Sequence, residues 1–106
     1  MGRVCSISIT DSTTPDQLDT FFVRTWSLNQ KVKLEIDATQ CRHVSLRKVL
    51  SMKKVLDEHR PHSKKYIQDS TVVVKTNFAR RILQIGLSII RTERPVYVRL
   101  ADWDAL

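Results

Sequence analysis

The chain has 106 residues, 42% of them hydrophobic and 27% charged, and its 18 Lys and Arg outnumber its 11 Asp and Glu to leave a formal net charge of +7. That length supports one hydrophobic core, because two would leave neither half enough buried surface, and the balance is that of a folded chain rather than a disordered one. The longest apolar stretches, such as residues 72–74, fall far short of the roughly 20 residues that span a bilayer, so no membrane partner is expected; the positive charge favours anionic ones.

Residues 3–10 alternate, with Cys5, Ile7 and Ile9 on one side and Ser6, Ser8 and Thr10 on the other, the period-two signature of a half-buried strand. This opening lacks the apolar run of a secretory signal, and the two cysteines, Cys5 and Cys41, lack the spacing of a disulfide framework. Both features predict a cytoplasmic protein with reduced thiols. Thr14-Pro15-Asp16-Gln17 reads as a helix start, with Thr14 as cap, Pro15 in the first turn and Gln17 completing a capping box. Leu18, Phe21, Phe22 and Trp26 follow at helical spacing and predict an aromatic stripe facing the core. Val32, Leu34 and Ile36 alternate with Lys33, Glu35 and Asp37, which predicts a second strand with a charged open side.

Ser45 is placed to cap a helix running to about Glu58, with Leu46, Val49, Leu50, Val55 and Leu56 inward and His59, Arg60 and Pro61 ending it. Residues 65–68 then read as a short strand and Asp69-Ser70-Thr71 as a turn. Val74, Phe78, Ile82, Ile85 and Ile89 are spaced by four, four, three and four, which predicts the inward stripe of another helix. Val72, Val73 and Val74 favour strand locally, so the alternative is a third strand extending through them and a helix starting at Thr76 or Asn77. Val96, Val98 and Leu100 mark a last strand, with a helical turn expected over 101–106.

The order β-α-β-α-β-α-β predicts a single α/β domain over residues 1–106 with about four mostly parallel strands. Because the strands alternate with polar residues instead of running apolar throughout, a two-layer arrangement is expected, with helices mainly on one face. The other face would be open, and a homodimer through it is conceivable.

Few residues suggest chemistry. Cys41, His43, His59 and His62 offer metal-ligand types, but the intervening helix would hold the two pairs roughly 20 Å apart, too far to share a zinc ion. Cys41 and His43 lack a third group to orient the imidazole as a nucleophile's base. Glu35 and Asp37 share a strand face, where polar residues are needed in any case. With only Gly2 and Gly86, no phosphate-cradling loop is present. No catalytic, metal or cofactor-binding residue is assigned, and the protein is not expected to be an enzyme. Positive charge clusters instead: between Ala38 and Gln68, Arg42, Arg47, Lys48, Lys53, Lys54, Arg60, Lys64 and Lys65 face only Asp57 and Glu58. With Arg80 and Arg81 on the following helix, Lys64 and Lys65 form an anion-binding candidate that would suit a nucleic acid. Aromatic interleaving is absent from this stretch apart from Tyr66, so base stacking is not supported.

The strand-loop-capped-helix segment resembles the STAS domain, the family of bacterial anti-sigma-factor antagonists and of the cytoplasmic tails of sulfate transporters. Asp37 matches the aspartate that ends a central strand in that family, and Ser45 matches the serine at the following helix start. Ile82-Leu83-Gln84-Ile85-Gly86-Leu87 is similar to the family's helix-ending Leu-x-x-x-Gly-Leu, and residues 96–106 to its last strand and terminal helix. The likeness covers about residues 32–106 and departs from the family in two places. His43-Val44-Ser45-Leu46-Arg47 stands where the family has Asp-Ser-Ser-Gly-Leu, and a helix is predicted near the N-terminus where a strand hairpin is usual. The resemblance implies a regulatory protein-binding module with a partner surface at Arg42, Ser45, Arg47, Lys48 and Lys54, and Ser45 as the phosphorylation candidate.

Overall fold

The computed structural model describes residues 3–90, 92 and 94–101. The elements are β1 (Arg3–Thr10), α1 (Pro15–Trp26), β2 (Val32–Gln40), α2 (Leu46–Ser51), α3 (Lys53–Glu58), α4 (Arg60–Tyr66), β3 (Ile67–Val74), α5 (Asn77–Ile89) and β4 (Val96–Leu100). The strands form one sheet in the order β1-β2-β3-β4, every neighbouring pair parallel. Right-handed crossovers that always step the same way across a sheet carry every helix to the same side. The fold is therefore a two-layer α/β sandwich, and no helix among the described residues is long and apolar enough to cross a membrane.

Register separates the two sheet faces. Cys5, Leu34, Ser70 and Val96 lie abreast beneath the helices, and Ile7, Ile36, Val72 and Val98 form the next covered row. Between them on the open side run Ser6, Glu35, Thr71 and Tyr97, followed by Ser8, Asp37, Val73 and Arg99. Lys33 adds an ion pair with Asp69 at 3.9 Å. On this side Ser6, Ser8, Glu35, Tyr97 and Arg99 are exposed, whereas Val73 is buried among them.

Local chemistry explains most of the elements. Thr14 and Gln17 close the capping box of α1, with Gln17 N donating to Thr14 Oγ1 at 3.3 Å and Thr14 N to Gln17 Oε1 at 2.8 Å. From that start Leu18 and Phe22 reach the core, where they pack with Val32, Leu34, Val55 and Ile67. A second cluster of Ala38, Val72, Val74 and Ala79 lies farther along the sheet.

Three expectations are corrected. The segment expected as one helix from Ser45 to about Glu58 ends where expected but is broken in two by a tight turn at Met52, where Met52 N donates to Val49 O, and a further helix, α4, takes the chain on to Tyr66. Pro61 is tolerated because it sits in the first turn of α4, where the missing N–H has no partner to lose. Consequently Lys65 and Tyr66 are helical, and Asp69, Ser70 and Thr71 lie inside β3, which continues through the three β-branched valines before Thr76 caps α5.

The third correction concerns the face of α5. The stripe 78, 82, 85, 89 and the stripe 79, 83, 86, 90 have the same helical period, and it is the second that faces inward, with Ala79, Gly86 and Ile90 buried. Size decides between them: a Cβ added to Gly86 would overlap Val49 of α2, so only a glycine permits this approach. Phe78, Ile85 and Ile89 are left 66%, 43% and 51% exposed. The helical turn expected over 101–106 falls largely on residues 102–106, which lie outside the described residues.

Candidate functional site

The loop from β2 to α2 is held by a residue the sequence did not single out. Asp11, one position beyond β1, accepts hydrogen bonds from Arg42 N (3.0 Å to Oδ2) and His43 N (3.0 Å to Oδ1), and Lys48 Nζ stands 3.8 Å away. The His43 and Arg42 amides, assisted by Lys48, hold the Asp11 carboxyl below its ordinary 3.8. The only signal for this role was positional, since the end of one strand in a parallel pair abuts the end of the next. Ser45 caps α2 by accepting from Lys48 N at 3.2 Å. Asp37, near the end of β2, accepts from Thr39 Oγ1 (2.6 Å) and Thr39 N (2.9 Å), which lower its pKa in that order.

The structure brings Arg42, Ser45, Arg47 and Lys48 together around this loop and the first turns of α2, with Lys54 farther along on α3. Arg42, Arg47, Lys48 and Lys54 are exposed. Lys53 and Arg60 are engaged by Asp57 at 2.7 and 2.9 Å, so they contribute less net field than their number suggests. Beside α2, in contact through Gly86, runs the outward stripe of α5 with Phe78, Ile85 and Ile89. The anion-binding candidate is not brought together in the same way. Lys64 and Lys65 close α4 where β3 begins, and Arg80 and Arg81 follow the end of β3, a strand of 8 residues. At about 3.3 Å per residue the two pairs sit roughly 25 Å apart along the sheet.

Groups with reactive potential are occupied structurally. The Cys41 thiol points to the Ile9 carbonyl (3.6 Å), and burial, followed by the charge of Asp11, raises its pKa above 9.0. That favours the thiol over a nucleophilic thiolate. His59 is buried between Trp26 and Asp19: Trp26 Nε1 donates to His59 Nδ1 at 2.9 Å, and His59 Nε2 lies 2.6 Å from Asp19 Oδ1. Because an indole only donates, Nδ1 must be bare and Nε2 carries the proton given to Asp19. His62 stacks on Trp26 at 5.8 Å between ring centres. Among the described residues, no three His, Cys, Asp or Glu side chains converge as metal ligands would.

Between the two core clusters lies an elongated cavity of about 390 Å³, with Leu34, Ile36 and Val72 on its floor and Val49, Leu83 and Leu87 on its helical wall. Exposed residues stand at both ends, Thr10, Asp11 and Lys48 at one and Thr92 and Arg94 at the other. A sealed, empty void of this size would cost on the order of 9 kcal/mol at about 24 cal/mol per Å³, comparable with the whole stability of a small domain. Because exposed residues line both ends, the space opens to solvent and is not a sealed void. No protein-family model matches the chain, and no curated protein or solved structure matches it either.

Proposed function

We infer that this domain is a non-enzymatic, regulatory protein-binding module, similar in kind to STAS domains and working in the cytoplasm. Its docking surface comprises Arg42, Ser45, Arg47, Lys48 and Lys54 together with the outer stripe of α5. The observation that carries this reading is the exposure of Phe78, Ile85 and Ile89 on one stripe of one helix. Apolar side chains gathered on a basic surface fit an acidic amphipathic segment, whose apolar residues would cover the stripe while its carboxylates meet the arginines. The Asp11 clasp and the Ser45 cap support the reading further, because they fix the loop that carries Arg42. Phosphorylation of Ser45 would offset much of the local positive charge at that surface and act as the regulatory input.

A nucleic-acid partner is the second reading, favoured by the net charge of +7. It does not account for the α5 stripe, and its basic pairs on α4 and α5 stand at opposite ends of the sheet. The two readings separate in one experiment, in which protein and nucleic acid retained from extract not treated with nuclease by the full chain are compared with those retained by I85D and R47E. A protein ligand lost with both substitutions supports the module. Nucleic acid bound with a steep salt dependence and unaffected by I85D would replace it with the second reading.

A further inference from the structure

We propose that β1 is a homodimer edge, along which two copies of the chain pair antiparallel and join their four-stranded sheets into one of eight strands. The strand order leaves β1 and β4 each with a strand neighbour on one side only. An edge strand offers unpaired N–H and C=O groups to any extended chain, and proteins blunt such edges with charge, proline or short length. β4 shows all three, being 5 residues long, preceded by Pro95 and carrying Arg99. β1 shows none of them over Val4-Cys5-Ser6-Ile7-Ser8-Ile9-Thr10, an uncharged run within a strand of 8 residues, and Val4 is 54% exposed.

Three features favour a second copy as the occupant. Around a two-fold axis each residue meets its own near neighbours, so a charge in the segment would face a like charge, and this run carries none. Beyond Ile9 the chain closes the edge itself, with Thr10 N donating to Thr13 Oγ1 at 2.8 Å and Thr13 N to Thr10 O at 3.1 Å. With the axis at Ser6, Cys5 stands opposite the second copy's Ile7 and Val4 opposite its Ser8, which keeps every side chain on its present face. The helices fit as well. Strands lie about 4.8 Å apart, so α1, crossing from β1 to β2, runs about 5 Å from the seam and about 10 Å from its copy, an ordinary helix-packing distance. Phe21, half-buried, lies about 140° round α1 from Trp26, which meets His59 and His62, and so flanks the seam. A strip about 25 Å long and, with α1, about 20 Å deep buries roughly 1,000 Å² over two copies, the threshold of a specific interface.

This contact is independent of the surface on α2 and α5, and it would set two copies of α5 on the same side of the joined sheet about 30 Å apart. Sedimentation of the full chain up to about 0.5 mM, well above the micromolar affinity expected of such an interface, should show a shift toward twice the chain's 12.3 kDa. S6K and S6E, on the exposed side of the strand, each place like charges across the axis and are expected to weaken the dimer about tenfold, while an equimolar mixture restores it. Y97K, on the far edge strand, and I85D, on the outer stripe of α5, should leave it unchanged. A chain that stays monomeric at the highest concentration would overturn the proposal. So would a dimer that survives S6K, or one that the mixture of S6K and S6E does not restore, because the contact would then lie elsewhere on the molecule.

Discussion

The two halves of the helical layer are built differently. Where α1, α3 and α4 cover the N-terminal ends of β2 and β3, large side chains point inward and polar ones find partners: Phe22 stacks on Trp26 at 5.6 Å, Trp26 bonds His59, and the Tyr66 hydroxyl donates to Asn29 Oδ1 at 2.8 Å. Where α2 and α5 cover the other half, contact is made by Ala79, Gly86 and Val49, while Phe78, Ile85 and Ile89 face water and a cavity lies beneath. The first half concentrates aromatic packing that stabilises the fold. The second leaves apolar surface uncovered inside and out, which is the feature on which the proposed binding role rests.

The contrast is sharpest for substitutions of opposite kind. F22A, in the aromatic half, is expected to cost about 3–5 kcal/mol in urea unfolding, because it removes a ring that is 2% exposed and stacked on its neighbours. G86V, in the other half, is expected to cost about 1–3 kcal/mol by forcing α5 away from α2, although any side chain raises helix propensity above that of glycine. A G86V protein as stable as the wild type would mean that the two helices separate freely.

The smallest expected effect is local and depends on pH. Since the Asp11 carboxyl titrates below its ordinary value, its clasp on Arg42 and His43 is intact above 3.8 and is lost as the pH falls through the lowered folded value. The Arg42 amide shift should therefore change in acid below about pH 5, as Asp11 is protonated, and D11N should abolish that acid-side change. An Arg42 amide with the same acid-side change in D11N would remove Asp11 from the loop.

Most of the architecture was legible because alternation and capping are local signals. The side facing inward in Val32, Leu34 and Ile36, the box of Thr14 and Gln17 and the cap at Ser45 all follow from neighbours a few residues apart. What was not legible depended on tertiary fit. Two stripes of α5 satisfy the same period, and only the closeness of α2 makes the one with Ala79 and Gly86 the inner face. Pro61 reads as a terminator until a helix begins at it, and that displacement moved the start of β3 and turned Ser70 from a loop residue into a buried strand residue. Of the surface, Arg42, Ser45, Arg47 and Lys48 were visible in the sequence. Asp11, Phe78, Ile85 and Ile89 were not, because their roles arise from elements distant in the chain.

Urea unfolding of a chain carrying F78S, I85S and I89S together is the most direct test that the outer stripe of α5 serves binding and not folding. Stability within about 1 kcal/mol of the wild type is the predicted result, as for exposed positions generally. A loss of more than about 3 kcal/mol would show that these side chains are buried in the native domain, and the docking surface would disappear with them.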